Sequence, residues 1–303
     1  MSRPAWKVVW TLCVVICALL RVSAQGGAPT CDPRAIDADS YALTTRGMAE
    51  VVLEERTSWW DRFSVGRHAA ALADLNVSAT SAAEYALRVD AGNLLAHAIL
   101  ARQYLIAGED AEHADRAWRT VLESGGSVVW TSTLYDVDVK SYFLLAFDRS
   151  ALRIYRYGEL AGPFEKTMGM PKFVGADRER FWRAWGGCID ADARPEAVIP
   201  WSDVREIKGG NWVLWFKLNR RVAIASDNGK RKTVDEIKAN LHGAMGTVDV
   251  HISPDYRNPA NPSIRSVGMG PFDYHQRVRY TIAKHVDPDR RIKLPKASRS
   301  AGW

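Results

Sequence analysis

The stretch that decides the fold is "LARQYLIAGED", Leu100 to Asp110. Counting from Leu94, only His97, Arg102 and Gln103 are plainly polar before Ala107, and the run stops at Gly108-Glu109-Asp110. A surface helix carries one apolar stripe, whereas a helix apolar all round has to be enclosed. The next segment, "AEHADRAWRTVLESGG", sets Ala114, Ala117, Trp118, Val121 and Leu122 at i, i+3, i+4, i+7 and i+8, a one-sided helical stripe. Gly125-Gly126 closes it, as glycine commonly does at a helix C-terminus. Together the two segments predict an α-hairpin with a buried first helix and an amphipathic second.

This hairpin resembles a tetratricopeptide repeat. Leu100, Ala101, Tyr104 and Gly108 stand at that family's Leu, small-residue, Tyr and turn-Gly positions. With one extra residue in the turn, Ala114, Trp118 and Val121 take its second-helix positions. Ala79, Ala83, Ala86 and Leu87 lie 35 residues before Ala114, Trp118, Val121 and Leu122, close to the family period of about 34. The upstream copy departs from the pattern: Gly66 and Arg67 hold its Leu and small-residue positions, and Ala91 replaces the Pro expected after Asp90. With Ala35 to Arg56 as a further helix, a helical domain is expected over 35–124, its repeat-like portion over about 60–124. The resemblance implies a groove lined by Leu95, Ala98, Arg102, Leu105 and Ile106. So apolar a face takes either a peptide of a protein partner or the second half of this chain. Two repeats are fewer than the roughly three that stand alone, which argues for the second.

After Gly126 the period changes from helical to alternating. "SVVWTSTLY", "KSYFLLAF" and "LRIYRY" read as strands, as does "WVLWFKL" with Trp212, Leu214, Phe216 and Leu218 on one face. Asn219-Arg220 reads as a turn into "RVAIAS". "TVDEIKANLHGAM" reads as a helix, with Thr233 and Glu236 as a capping box and Val234, Ile237 and Leu241 as its stripe. "TVDVHI" adds a further strand. The class is therefore α+β. Strands followed by one packing helix resemble the pleckstrin-homology-like fold and its GRAM-type relatives, on "IPWSDVREIK", "WVLWFKL" and "RVAIAS", over 127–252 with an insertion at 161–197. A plain α+β sandwich is the alternative.

The N-terminus has the layout of a secretory signal over 1–24: Arg3 and Lys7, an apolar run from Val8 to Leu20, then Val22-Ser23-Ala24. The alternative is an uncleaved membrane anchor. Removal of the signal takes Cys13 and Cys17 with it, leaving Cys31 and Cys188 as a candidate disulfide in an oxidising compartment, or else as two unpaired thiols. The chain has 41 basic and 35 acidic residues. Three of the basic ones lie in the signal, and eight lie after residue 272 against three acids, so the body between is near neutral. A basic tail over 273–303 is expected to be solvated and partly mobile, or to meet an anionic envelope surface. No nucleic acid is expected.

Aromatic residues gather in the insertion, where Phe181 and Trp185 share a face of a short helix from Asp177 to Trp185. Trp182, Trp185 and Trp201 form either a stacking platform for sugars or a lid over the sheet. Zinc-helix, phosphate-loop and nucleophile-elbow motifs are absent, and the seven histidines have no metal-ligand spacing. His97 and His113 read as helix-surface or interface residues. Asp190 and Asp192 read as loop acids, or else as a carboxylate pair for a cation, and Asp136 and Asp138, expected on one strand face, read the same way. Asn76 heads an Asn-Val-Ser sequon. "GMGPFDY", Gly268 to Tyr274, reads as a connector. The reading is an exported, non-enzymatic interaction or scaffold protein of the cell envelope, with no cofactor or metal. An envelope enzyme or carbohydrate-binding module using the Trp-rich region 177–215 is the rival.

Overall fold

The computed structural model describes residues 29–48, 68–107, 111–156, 165–167, 170–172, 183–184, 186–209, 213–226, 228–241, 248–250, 267–269, 271–287 and 291–294. Four helices come first: α1 over 38–48, α2 His68–Val89, α3 Leu94–Ala107 and α4 Ala111–Glu123. A seven-stranded antiparallel sheet follows, and α5, Pro271–Val286, comes after it. The class is α+β.

Capping chemistry sets the helix starts. Asp37 accepts bonds from the Asp39 and Ser40 amides at the head of α1, the standard N-cap arrangement. Asn93 does the same for α3, its side-chain oxygen accepting from the Ala96 amide at 3.1 Å. Its amide nitrogen donates to the Ser40 and Thr44 hydroxyls at 2.9 and 2.7 Å. One buried side chain thus starts α3 and ties it to α1. The α2 helix runs unbroken for 22 residues, so the upstream copy forms no separate hairpin over 68–89.

Most of α3 is enclosed, His97 and Tyr104 being half-buried. Leu95, Ala98, Arg102 and Leu105 are all buried, and Ile106 continues the helix with its side chain outside the described ones. The α2 helix packs on one side, α4 on another, and β1 and α5 close the rest. Trp118 of α4 is fully buried, and its indole N–H donates to the Ala101 carbonyl of α3 at 2.7 Å.

The sheet order is β6-β3-β2-β1-β9-β8-β7, where β1 is Val128–Leu134, β2 Asp138–Phe147, β3 Ala151–Arg156, β6 Ala197–Pro200, β7 Val204–Gly209, β8 Leu214–Ala225 and β9 Arg231–Leu241. Two-stranded pairs are formed by β4, Glu165–Thr167, with β5, Met170–Lys172, and by β10, Val248–Val250, with β11, Val267–Met269. In the main sheet the first strand pairs with the last, β1 with β9. Its two edge strands, β6 and β7, are joined by a single 3-10 turn, Trp201–Asp203. Those two constraints roll the sheet into a near-barrel. Phe147 of β2 and Phe216 of β8 have two strands, β1 and β9, between them, yet their rings meet at 6.2 Å across the interior. Trp201 stacks on Phe147 at 6.5 Å and donates its N–H to the Asp148 carbonyl at 2.9 Å.

Three expectations need correction. Residues 231–241 form the strand β9, not a helix. Val234, Ile237 and Leu241 fit a helical stripe, but Ile237, Ala239 and Leu241 alternate as buried positions against Glu236 and Lys238, and both β1 and β8 pair with this segment. Asn219-Arg220 makes no turn. The β8 strand passes through it with a register irregularity between Lys217 and Val222, and Asn219 and Arg220 bond Ser202 and Asp203 of the 3-10 corner.

The third correction concerns the tail. Residues 271–286 are helical, begun by Pro271 in a position where its missing N–H costs nothing. Buried Val278, Ile282, Ala283 and Val286 face the body of the protein. Arg277 donates to the Leu105 carbonyl of α3 at 2.9 Å. Farther on, Lys293 exchanges backbone bonds with Arg205 and Ile207 along β7, and Ile292 is buried. "GMGPFDY" is therefore the end of β11 and the start of α5. The described helices include none long and apolar enough to cross a membrane.

Candidate functional site

The site begins with an N-terminal segment that has no secondary structure of its own. Thr30 donates its amide to the Gly92 carbonyl at 2.9 Å and accepts from the Leu94 amide at 3.2 Å, a one-residue parallel bridge onto the head of α3. Asp32 then folds the chain back by accepting from the Arg34 amide. Cys31, between them, is bonded to Cys188, with their Cα atoms 5.6 Å apart.

Cys188 lies on a loop seated against the entrance to the barrel. The Ser127 amide, one residue before β1, donates to the Gly187 carbonyl at 3.0 Å. Gly187 has φ +86°, and a Cβ there would lie 1.8 Å from the Ser127 carbonyl oxygen, so no other residue fits. The Cys188 amide donates to the Arg183 carbonyl at 2.8 Å, and the Arg183 guanidinium pairs with Asp190 at 2.9 Å.

These pieces enclose an open cleft of about 690 Å³ whose walls carry Asp32, Arg34, Ser124, Arg183 and Asp190 around the disulfide. A second hollow of about 420 Å³ adjoins it, sharing Gly125, Gly126, Gly187 and Ile189–Ala191, and carries Asp148, Arg149, Ser150 and Arg153. The shared floor is the end of α4, where Gly125 at φ +77° lets the Gly125 and Gly126 amides fold back onto Leu122 and Val121. Helical half, barrel and N-terminal segment all contribute to it.

Electrostatically the lining is polar, of both signs, and largely committed. Asp148 accepts from the Ser150 amide and hydroxyl, the Ala151 amide and Arg153. Burial pushes its pKa up, but those bonds outweigh it and hold the carboxyl below the usual range. Arg34 and Arg149 stand exposed at the rims. The arrangement can grip a ligand by charge and hydrogen bonding, while the locked carboxylate at Asp148 is a poor proton shuttle.

The other singled-out residues lie elsewhere. Leu95, Ala98, Arg102 and Leu105 are interior, so this groove is filled by the chain itself. Trp201 is 6% exposed, with its ring inside the barrel mouth, which withdraws it from any open stacking platform. Trp182 and Trp185 lie outside the described residues. His97 is half-buried and bonds the Ala91 carbonyl, and burial lowers its pKa against that bond. His113 is exposed beside Tyr104. Asp136 sits on the β1–β2 turn against Lys238, and Asp138 on β2 accepts from Ser141, so the two share no strand face. Asp190 lines the cleft and Asp192 is exposed. Among the described residues no cluster of three or more His, Cys, Asp or Glu side chains could hold a metal ion. Nothing in the sequence singles out Arg34 or Arg183, and the pairing of Cys31 with Cys188 is the one signal that draws their segments together.

Compared with family models, curated proteins and solved structures, the chain shows no match.

Proposed function

We propose that this chain is an exported binding protein of the cell envelope. In it a tetratricopeptide-like helical half and a pleckstrin-homology-like barrel are locked together, and the disulfide-edged cleft receives a polar segment of a protein partner. The observation that carries the reading is the 690 Å³ cleft built where the two halves meet. Its size is that of ligand sites in general, and its charges of both signs suit a peptide better than an apolar or singly charged molecule. Export is supported by the signal-like N-terminus and by a disulfide, which persists in oxidising compartments. The repeat-like reading draws support from the α3–α4 hairpin with Trp118 at its seam, and the barrel reading from pairing of first with last strand and a single helix packed on β7.

The test is site-specific photo-crosslinking in cells producing the full chain. A photo-reactive residue replacing Arg34 or Arg149 is expected to give one discrete adduct, lost when Asp190 is changed to Lys. The same residue replacing Tyr85, exposed on α2 outside the cleft, is expected to give none. Equal adducts from all three positions, or none from the cleft, would overturn the reading.

A further inference from the structure

We infer that the Cys31–Cys188 disulfide is a redox lever on the cleft: its reduction by a dithiol frees the two walls from each other while the barrel and helices stay folded. The inference rests on the binding role proposed above only for its biological meaning, since the structural change needs no partner.

Both sulfur-bearing residues line the cleft. Each wall is otherwise held by its own neighbours. Thr30 bonds to Gly92 and Leu94, on the helical side. Gly187 bonds to Ser127, on the barrel side, and Arg183 to Asp190 within the loop itself. The bond spans 157 residues of sequence, and among the described residues no hydrogen bond or ion pair joins 30–34 directly to 183–191. The folded body does not depend on it in the same way. The near-barrel is closed by β1–β9 pairing and by Trp201 and Phe147 inside, and α3 is enclosed by α2, α4, α5 and β1.

The bond is also placed for attack from one side. Cys31 is half-buried, whereas Cys188 is only 9% exposed. A thiolate of the reductant reaches the Cys31 sulfur and forms a mixed disulfide there. The electron pair of the broken bond leaves on the Cys188 sulfur, which takes a proton from water. The second thiol of the reductant then displaces Cys31, which leaves as a thiolate and is protonated in turn. The protein gains two electrons and two protons, and the dithiol is oxidised to its own disulfide.

Hydrogen–deuterium exchange of the intact protein, oxidised, reduced with dithiothreitol, and as the Cys31→Ser/Cys188→Ser variant, tests this without a partner. The Leu94, Ser127 and Cys188 amides are expected to exchange roughly tenfold faster or more in the reduced protein and, at Leu94 and Ser127, in the variant. Amides of 143–147 in β2 and 214–218 in β8 are expected to be unchanged. Exchange that is unchanged everywhere, or faster in the barrel strands as well, overturns the lever and leaves a plain structural clasp. The Arg34 crosslink, repeated with dithiothreitol, reads the consequence: adduct yield changing severalfold supports regulation of the cleft, and an equal yield in both states overturns it. Absence of adduct in either state counts against the binding role alone, and the exchange pattern still decides the lever.

Discussion

Gly187→Ala is the sharpest single perturbation of the junction. Its added Cβ would sit 1.8 Å from the Ser127 carbonyl oxygen, a backbone atom with no rotamer to yield. Ordinary contact begins near 3.4 Å, so loop and strand entrance must part by roughly 1.6 Å, beyond what a packed contact absorbs. That separation takes the Ser127–Gly187 hydrogen bond with it, costing about 1 kcal/mol net. Forcing alanine to the left-handed φ adds about 1–2 kcal/mol, and residual strain brings the expected loss to roughly 3–5 kcal/mol. Gly229→Ala is the control. It has φ +77° but nothing within 4 Å of the added carbon, so only the same conformational penalty of about 1–2 kcal/mol applies. Urea unfolding followed by tryptophan fluorescence measures both, and thiol labelling counts how much protein has closed Cys31 to Cys188. Gly187→Ala is expected to lose at least about 2 kcal/mol more than the control and to leave more free thiol. Equal losses in the two variants would refute the seating of this loop on the barrel.

Other expectations follow from the seam between the halves. Trp118→Ala empties a fully buried site touching Trp130, Phe147 and His285 and is expected to cost about 3–5 kcal/mol in urea unfolding. Trp118→Phe, which removes the indole bond to the Ala101 carbonyl, is expected to cost about 1 kcal/mol. Arg102→Glu reverses a charge only 1% exposed and is expected to lose about 3–5 kcal/mol or fail to fold, while Arg34→Glu on the cleft rim stays within about 0.5 kcal/mol of the parent in the same assay. His285, stacked on Trp118 and facing Asp115, Lys284 and Arg119, supplies a pH dependence. Burial holds its pKa below the ordinary 6.5, with Asp115 pulling the other way. The unfolded chain then takes up the proton more readily, so this contribution is whole above 6.5 and is lost as pH falls through that value. Asp115 stays ionised across that window: burial raises its pKa, but the Lys284 hydrogen bond and the His285, Lys284 and Arg119 charges lower it further. His285→Gln is expected to flatten the decline in stability between about pH 7.5 and about pH 5.5, and an unchanged decline would refute the assignment.

What the sequence revealed, and what it hid, follows from how local each signal is. The all-round apolar run at Leu94–Ala107 and the stripe of α4 are properties of single helices, and both could be read directly. The first three strands of the sheet were equally plain. Two strand-rich segments misled because their patterns are ambiguous at short range. Val234 and Ile237 are three apart, a helical spacing, and only Ile237, Ala239 and Leu241 carry the strand alternation, while Asn219 suits a turn until its bond to Ser202 is seen. The α5 helix was concealed for a different reason. Its inward positions, His275, Val278, Arg279, Ile282, Ala283 and Val286, do recur at helical spacing, but two of them are a histidine and an arginine, so the stripe looked polar. Of the cleft only the candidate Cys31–Cys188 bond showed in the sequence, because its walls come from 31–34, 124–126 and 183–191, and no periodicity joins segments so distant.

The pairing of β1 with β9, and the lodging of α5 against α3 and β7, carry a consequence for biogenesis. Neither the near-barrel nor the cover over α3 can be completed until β9 and α5 have been synthesised, each more than a hundred residues after the element it joins. Long-range closure of this sort is slow and leaves apolar surface uncovered in the interim.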